Sequence, residues 1–143
     1  MSATTFSATR ALTTEATAPY GIAALRISQG ALFVAHGAIK LFVFTPAGTV
    51  GYFGSLGLPA PLAYLTILIE ILGGLALIAG VFTRVVSLAL VPVMLGALVL
   101  AHASKGFLFS SPGGGWEFPA FWIVALLVQA ALGAGAFALR GEK

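Results

Sequence analysis

Residues 62–81 read LAYLTILIEILGGLALIAGV, a run of twenty residues in which Glu70 is the one charged side chain. At about 1.5 Å of rise per residue, a helix of this length crosses the ~30 Å hydrocarbon core of a bilayer. Lipid offers backbone N–H and C=O groups no partners, so a helix is expected here. Glu70 lies near its middle, where an unpaired charge costs roughly 2.5–3.5 kcal/mol. The carboxylate therefore needs a partner or a function.

Three further apolar segments of similar length lie at about residues 22–44, 85–103 and 119–139. The chain has 143 residues, of which 59% are hydrophobic and 8% are charged, whereas soluble domains carry about 25% charged residues. The sequence predicts an all-α fold, an integral membrane four-helix bundle in up-down order that forms one domain over residues 20–143. Residues 1–19 are predicted to be a flexible polar tail, because they lack the roughly 7–15 apolar residues that a secretory signal needs.

The positive residues predict how the chain sits in the membrane. Lys40 and Lys105 are expected on one side, and five others on the side that holds both termini: Arg10, Arg26, Arg84, Arg140 and Lys143. This excess predicts a multi-pass protein of the cytoplasmic membrane with both termini in the cytoplasm. The net charge of +3 includes no basic run, so the lipid bilayer and not nucleic acid is the expected partner. The absence of Cys excludes Cys-ligated iron–sulfur clusters and covalent c-type haem.

Four polar residues are expected at membrane depth. His36 and Lys40 are four residues apart and therefore project from one helix face. Counted from the middle of each span, Glu70 lies near the midplane, while His36, Lys40 and His102 lie outward of it. An antiparallel bundle can bring all four into one pocket that opens to the outer side. Three residues of the following loop are expected at its mouth: Lys105, Trp116 and Glu117.

The four-residue cluster has more than one interpretation. It can line a ligand or proton site, since intramembrane ionisable residues commonly mark function. It can also be a structural clamp between the first two helices, with Glu70 paired with Lys40 or His36, or neutral. In a third interpretation, the Lys40 side chain extends toward the lipid headgroups. Haem is not favoured, because the two histidines differ in depth by about 6 Å, and no close ligand spacing predicts a metal.

Several short motifs, in order and spacing, resemble the DoxX family of small membrane proteins. They are Leu25-Arg26-Ile27, His36-Gly37-Ala38-Ile39-Lys40-Leu41, Gly57-Leu58-Pro59, Glu70-Ile71-Leu72-Gly73-Gly74, Thr83-Arg84, and His102 with Gly106-Phe107. The resemblance implies a four-helix membrane bundle. It also implies respiratory or redox chemistry, as in a subunit of a thiosulfate:quinone oxidoreductase or the membrane partner in an oxidative-stress complex.

The sequence and the resemblance together favour a redox-associated subunit that binds a quinone or a similar lipophilic ligand. His36, Lys40 and His102 are expected to bind the ligand, and Glu70 is expected to bind it and to act as the catalytic proton relay. A chain without Cys or a recognisable cofactor motif needs a redox partner subunit. The sequence leaves open whether the chain also forms a homo-oligomer. The alternatives are a non-catalytic membrane scaffold for a soluble enzyme and a small proton-coupled carrier that uses Glu70.

Overall fold

The computed structural model describes residues 14–140, and all regular secondary structure in this range is helical. This confirms the all-α class predicted from the sequence. Two π-helical segments continue the first and fourth helices, at Ile39–Val43 and Ala97–His102, and a short 3-10 turn follows at Ala103–Lys105. The five α-helices are α1 (Thr14–Ala38), α2 (Thr45–Ser55), α3 (Ala60–Ala79), α4 (Thr83–Gly96) and α5 (Glu117–Leu132).

Three helical stretches in the described part of the chain are long and apolar enough to cross a membrane: Thr14–Val43, Ala60–Ala79 and Thr83–Lys105. They correspond to the first three predicted spans. The fourth apolar helix, α5, has 16 residues, or about 24 Å of length against the ~30 Å hydrocarbon core. The predicted fourth span, residues 119–139, was therefore too long at its carboxyl end.

Glycine ends α5 early. Gly133 has φ 85° and ψ −155°, a conformation outside the helical region that glycine adopts without steric cost. The chain then turns back across the ends of two other helices, where Ala136 N donates to Pro19 O at 2.9 Å and Leu139 N donates to Ala79 O at 3.0 Å. Both ends of the described chain therefore lie at the same end of the bundle.

The first helix begins inside the predicted tail. Residues 14–19 are helical, and the predicted tail residues 1–13 lie outside the described residues. Glu15 lies in the first turn of α1, where its negative charge interacts favourably with the unpaired N–H groups at the start of the helix. The hydrogen bond that Pro19 O accepts from the carboxyl-terminal segment also holds this turn against the bundle. The local sequence does not reveal this long-range contact, so the predicted start of the first helix was too late.

Two arginines bind the carboxyl ends of neighbouring helices. Arg26 is 0% exposed, and its Nη1 donates to the carbonyls of Leu77 and Ile78 at 3.0 and 3.2 Å. Arg84 Nη1 donates to two carbonyls in the last turn of α5, at 2.8 and 2.7 Å. A cation at these positions satisfies carbonyls without an intrahelical partner and complements the helix dipole.

The helices pack as two closely joined pairs, α1 with α3 and α4 with α5. Backbones touch where α1 crosses α3, because a Cβ at Gly30 would lie 2.6 Å from Gly74 O, and a Cβ at Gly74 would lie 2.6 Å from Gly30 O. Small residues at a crossing allow such approach in membrane helices. The buried apolar core lies between the pairs and consists of Phe33, Leu77, Leu90, Met94, Trp122 and Leu126.

Candidate functional site

Glu70 is paired with Lys40. Lys40 Nζ donates to Glu70 Oε1 at 2.9 Å and to Oε2 at 2.8 Å. The Glu70 side chain is 6% exposed and that of Lys40 is 20% exposed. Of the two partners considered for this carboxylate, the structure selects Lys40. The pair joins α3 to the π-helical continuation of α1, and both side chains remain on the wall of a cavity.

Local structure explains how Lys40 reaches Glu70. Gly37 lies directly beside the base of the Glu70 side chain, since a Cβ there would be 3.3 Å from Glu70 Cβ and 2.6 Å from Ile71 Cγ1. Lys40 is in the first π-helical segment, where the wider turn changes the direction of the side chain and releases backbone carbonyls. Thr49 Oγ1 of α2 shares its one proton between Lys40 O at 3.0 Å and Thr45 O at 2.9 Å, and the contact with Lys40 O places the short helix α2 against this segment.

His36 lies one turn before Lys40 and lines the same cavity, as their spacing predicts. Its ring makes an edge-on contact with Trp122, with centroids 5.4 Å apart and planes at 66°. Trp122 also packs against Phe33 and Phe118, at centroid distances of 4.5 and 5.4 Å. The imidazole therefore stands at the edge of an aromatic cluster contributed by α1 and α5.

His102 is the last residue of the second π-helical segment. Its Nδ1 is 2.9 Å from the carbonyl oxygen of Gly114, which fixes the ring against the loop between α4 and α5. The histidine also lines the cavity. Two of the four polar cavity residues, Lys40 and His102, thus belong to π-helical segments, a backbone form that recurs at functional sites.

The cavity has a volume of about 1320 Å³ and is lined by residues from all five helices and from the loop before α5. It contains His36, Lys40, Glu70 and His102, the four residues that the sequence predicts to share one site. Most of the remaining wall is apolar and aromatic. Ligand sites commonly combine such walls with a few polar groups, so this cavity is the candidate functional site.

The three predicted mouth residues lie beside the main cavity and outside its lining. Trp116 and Glu117 line a second, smaller cavity of about 510 Å³ together with four phenylalanines: Phe107, Phe109, Phe118 and Phe121. The Glu117 carboxylate accepts a hydrogen bond from Phe109 N at 2.6 Å. Lys105 packs along the loop, where a Cβ at Gly113 would lie 3.2 Å from its Cδ.

Trp122 and Thr49 are site residues that the sequence did not single out. Trp122 is 4% exposed and its Nε1 is buried without a hydrogen-bond acceptor among the described residues. The sequence did contain a signal for Trp122, namely an indole N–H within an apolar segment. Thr49 offered none, because its role depends on α2 folding back over Lys40.

The arrangement combines hydrogen-bond donors with a carboxylate that can hold or release a proton. Lys40 Nζ is a donor, Glu70 can accept, and a ring nitrogen of His36 can donate or accept. His102 Nδ1 faces Gly114 O and therefore donates, which leaves Nε2 of the neutral ring as an acceptor. Within residues 14–140, no three His, Asp or Glu side chains gather as metal ligands would. The fitting ligand is an apolar molecule with a few hydrogen-bonding oxygens.

Comparison with known proteins identifies the class to which this helical membrane fold belongs. A family model described as DoxX matches residues 21–103, which is more than half of the chain. The chain belongs to the DoxX family, as its sequence motifs predict.

Two curated proteins are similar to this chain. A Bacillus subtilis protein named "Putative oxidoreductase CatD" is 33% identical over 88 residues, which cover 62% of this chain and 64% of that protein. The match thus spans less than two thirds of the length of CatD. A Haemophilus influenzae protein named "Uncharacterized protein" is 36% identical over 122 residues, 85% of this chain and 89% of that protein. No solved structure matches the chain.

Proposed function

We propose that this DoxX-family protein is a redox-associated membrane subunit that binds a quinone in the main cavity. The observation that carries the proposal is the placement of Lys40, Glu70, His36 and His102 on the wall of one apolar cavity of about 1320 Å³. A quinone has a flat apolar ring and two carbonyl oxygens, which match aromatic walls and hydrogen-bond donors. The name of the CatD relative, an oxidoreductase, agrees with this class of chemistry.

The residues of the cavity have distinct roles in the proposal. When bound, the quinone supplies two-electron, two-proton chemistry. Lys40 and His36 donate hydrogen bonds to its carbonyl oxygens, and His102, whose Nδ1 donates to Gly114 O, offers Nε2 to a hydroxyl of the reduced ring. Glu70 accepts or donates the protons, and Lys40, within 2.9 Å of both carboxylate oxygens, holds the carboxylate in place. The aromatic residues around Trp122 exclude water from the ring.

Electron transfer requires a second protein in this proposal. The chain contains no Cys, so it has no thiol or Cys-ligated cluster to carry electrons. A partner subunit therefore delivers or receives them. The protein lies in the cytoplasmic membrane with both termini in the cytoplasm, as the positive residues predict. Both ends of the described chain lie at the same end of the bundle, which supports placing both termini on one side of the membrane.

Extraction of the purified protein tests the proposal directly. Organic extraction followed by chromatography should release a quinone in a stoichiometric amount, and intrinsic tryptophan fluorescence should be quenched when a quinone is added back. Lys40→Met should weaken that binding by about tenfold or more, because it removes a charge-assisted hydrogen bond, which contributes about 1.5–3 kcal/mol. Glu15→Gln, at the exposed start of α1, is the control and should bind normally. A protein that neither contains nor binds a quinone refutes the proposal.

A proton-coupled carrier is the second candidate, because a buried Lys–Glu pair faces a large cavity. Proteoliposomes separate the two functions. A carrier moves a solute or protons across the bilayer in the absence of any partner, and Glu70→Gln abolishes that movement. A quinone-binding subunit shows no such transport.

A further inference from the structure

The main cavity is larger than a quinone ring requires. Pockets for small ligands are commonly about 300–1,000 Å³, whereas this cavity measures about 1320 Å³. The four polar residues come from α1 (His36), from the two π-helical segments (Lys40 and His102) and from the middle of α3 (Glu70). Apolar residues of α3 and α4 form much of the remaining wall.

Helices α3 and α4 touch at Gly73, where a Cβ would lie 3.1 Å from Leu90 Cδ2. Beyond this contact, both helices contribute residues to the cavity wall, from α3 Leu62, Thr66 and Ile69 and from α4 and its continuation Val93, Gly96 and Leu100. Counted from the Gly73–Leu90 contact, antiparallel helices are expected to place these residues opposite one another. These side chains therefore face the cavity from both helices, and the cavity fills the gap between them.

The gap begins where α4 changes its backbone structure. Pro92 lies inside α4 and cannot donate a helical hydrogen bond. The π-helical segment Ala97–His102 follows, and both features commonly alter the course of a helix. At the outer edge of the gap, Leu62 is 39% exposed and Leu100 is 42% exposed. These apolar side chains face the region that lipid occupies around a membrane helix.

We propose that the cavity is built for a ligand with a long apolar chain, and that this chain leaves the protein sideways through the gap between α3 and α4. The inference rests on the proposed function and narrows the substrate class to membrane-dissolved quinones with a chain. An apolar chain gains no hydrophobic free energy on passing from lipid into an apolar gap. The gap instead lets the ring reach Lys40 and Glu70 while the chain stays in apolar surroundings.

Gly96 offers a substitution that blocks the gap with little risk to the fold. A Cβ at Gly96 would meet no other described atom within 4 Å, and leucine favours helix more than glycine does. Gly96→Leu therefore places a side chain in the gap without an immediate clash. Val99→Phe is the matched control, because Val99 lies on the same stretch of helix, is 59% exposed and is not part of the cavity wall.

The test compares two probes in nanodiscs by quenching of tryptophan fluorescence. One is 2,3-dimethoxy-5-methyl-1,4-benzoquinone, and the other is the same ring with a decyl chain. Each dissociation constant is taken as a ratio to that of the wild type, so that partition into lipid cancels. Gly96→Leu should weaken binding of the decyl compound by at least about tenfold, because side chain and chain compete for one volume. Binding of the chainless ring should stay unchanged, and Val99→Phe should alter neither.

Three outcomes overturn the inference. If Gly96→Leu leaves the decyl compound bound as in the wild type, the chain does not pass between α3 and α4. If both probes weaken equally, Gly96 belongs to the ring site and not to a chain route. If the wild type binds neither probe, the proposed function fails and the inference fails with it.

Discussion

Replacing Lys40 by Met removes the cation from a carboxylate that is only 6% exposed and keeps a long side chain in its place. Lys40 Nζ is 2.8 Å from Glu70 Oε2, a distance at which unit charges attract by about 6 kcal/mol at an effective dielectric constant of about 20. Desolvation of both groups offsets much of this attraction. Loss of one partner still leaves a buried charge uncompensated, so Lys40→Met should lower the free energy of unfolding by about 3–5 kcal/mol.

The double variant Lys40→Met/Glu70→Gln isolates the interaction from other effects of Lys40. Neutral replacement of both members of a buried ion pair is often without net cost, so the double variant should be more stable than Lys40→Met alone. The measurement is reversible unfolding in mixed micelles, followed by circular dichroism, for the wild type, both single variants and the double variant. The expected coupling energy is about 3 kcal/mol or more, because the double variant should recover most of the stability that Lys40→Met loses.

Additive losses would refute this reasoning. If the double variant is destabilised by the sum of the two single changes, Lys40 and Glu70 do not interact in the folded protein, and the paired arrangement is wrong. Glu15→Gln serves as the control, because Glu15 is exposed. Its effect should stay within about 0.5 kcal/mol, as for surface substitutions in general.

Three other substitutions test the packing around the site, each by the same unfolding measurement. Gly30→Ala should destabilise the protein by about 1–3 kcal/mol, because its Cβ would lie 2.6 Å from Gly74 O. Gly21→Ala is the control and should be neutral or stabilising, because a Cβ there meets no described atom within 4 Å. Equal effects of the two substitutions would refute the close crossing of α1 and α3. Arg26→Met should cost about 3 kcal/mol or more, since two of its charged hydrogen bonds go to the end of α3 and each contributes about 1.5–3 kcal/mol; a neutral result would show that this contact is dispensable. Thr49→Val should cost about 1 kcal/mol through loss of its bond to Lys40 O, and an unchanged stability would count against the anchoring of α2.

Apolar length and the positions of the charged residues were sufficient to predict the fold class and three spans. Lipid demands helices of a minimum length, and that demand can be read from hydropathy. The boundaries were harder. Hydropathy continues through Gly133 to Leu139, yet α5 ends at Leu132 because Gly133 takes a backbone conformation that ends the helix. The first helix begins earlier than predicted, at Thr14, where its amino-terminal turn contacts the returning carboxyl-terminal segment.

The residue type of Arg26 did not predict its structural role. From the sequence, Arg26 contributes a positive charge at the cytoplasmic side. In the structure it is fully buried and donates to carbonyls of Leu77, Ile78 and Ala136. Those carbonyls belong to segments about 50 and 110 residues further along the chain. Such a pairing depends on how the helices assemble, which hydropathy does not encode.

The sequence by itself predicts that four polar residues lie at membrane depth and that His36 and Lys40 share a helix face, because rise per residue and helical period are local properties. Only the tertiary structure decided that Glu70 pairs with Lys40, that Trp122 stands beside His36, and that the four residues border one cavity. The reason is physical. The pairing depends on the close approach of α1 to α3 at glycine positions and on the π-helical turn that carries Lys40. The cavity is bounded by residues of all five helices, which only their packing in three dimensions brings together.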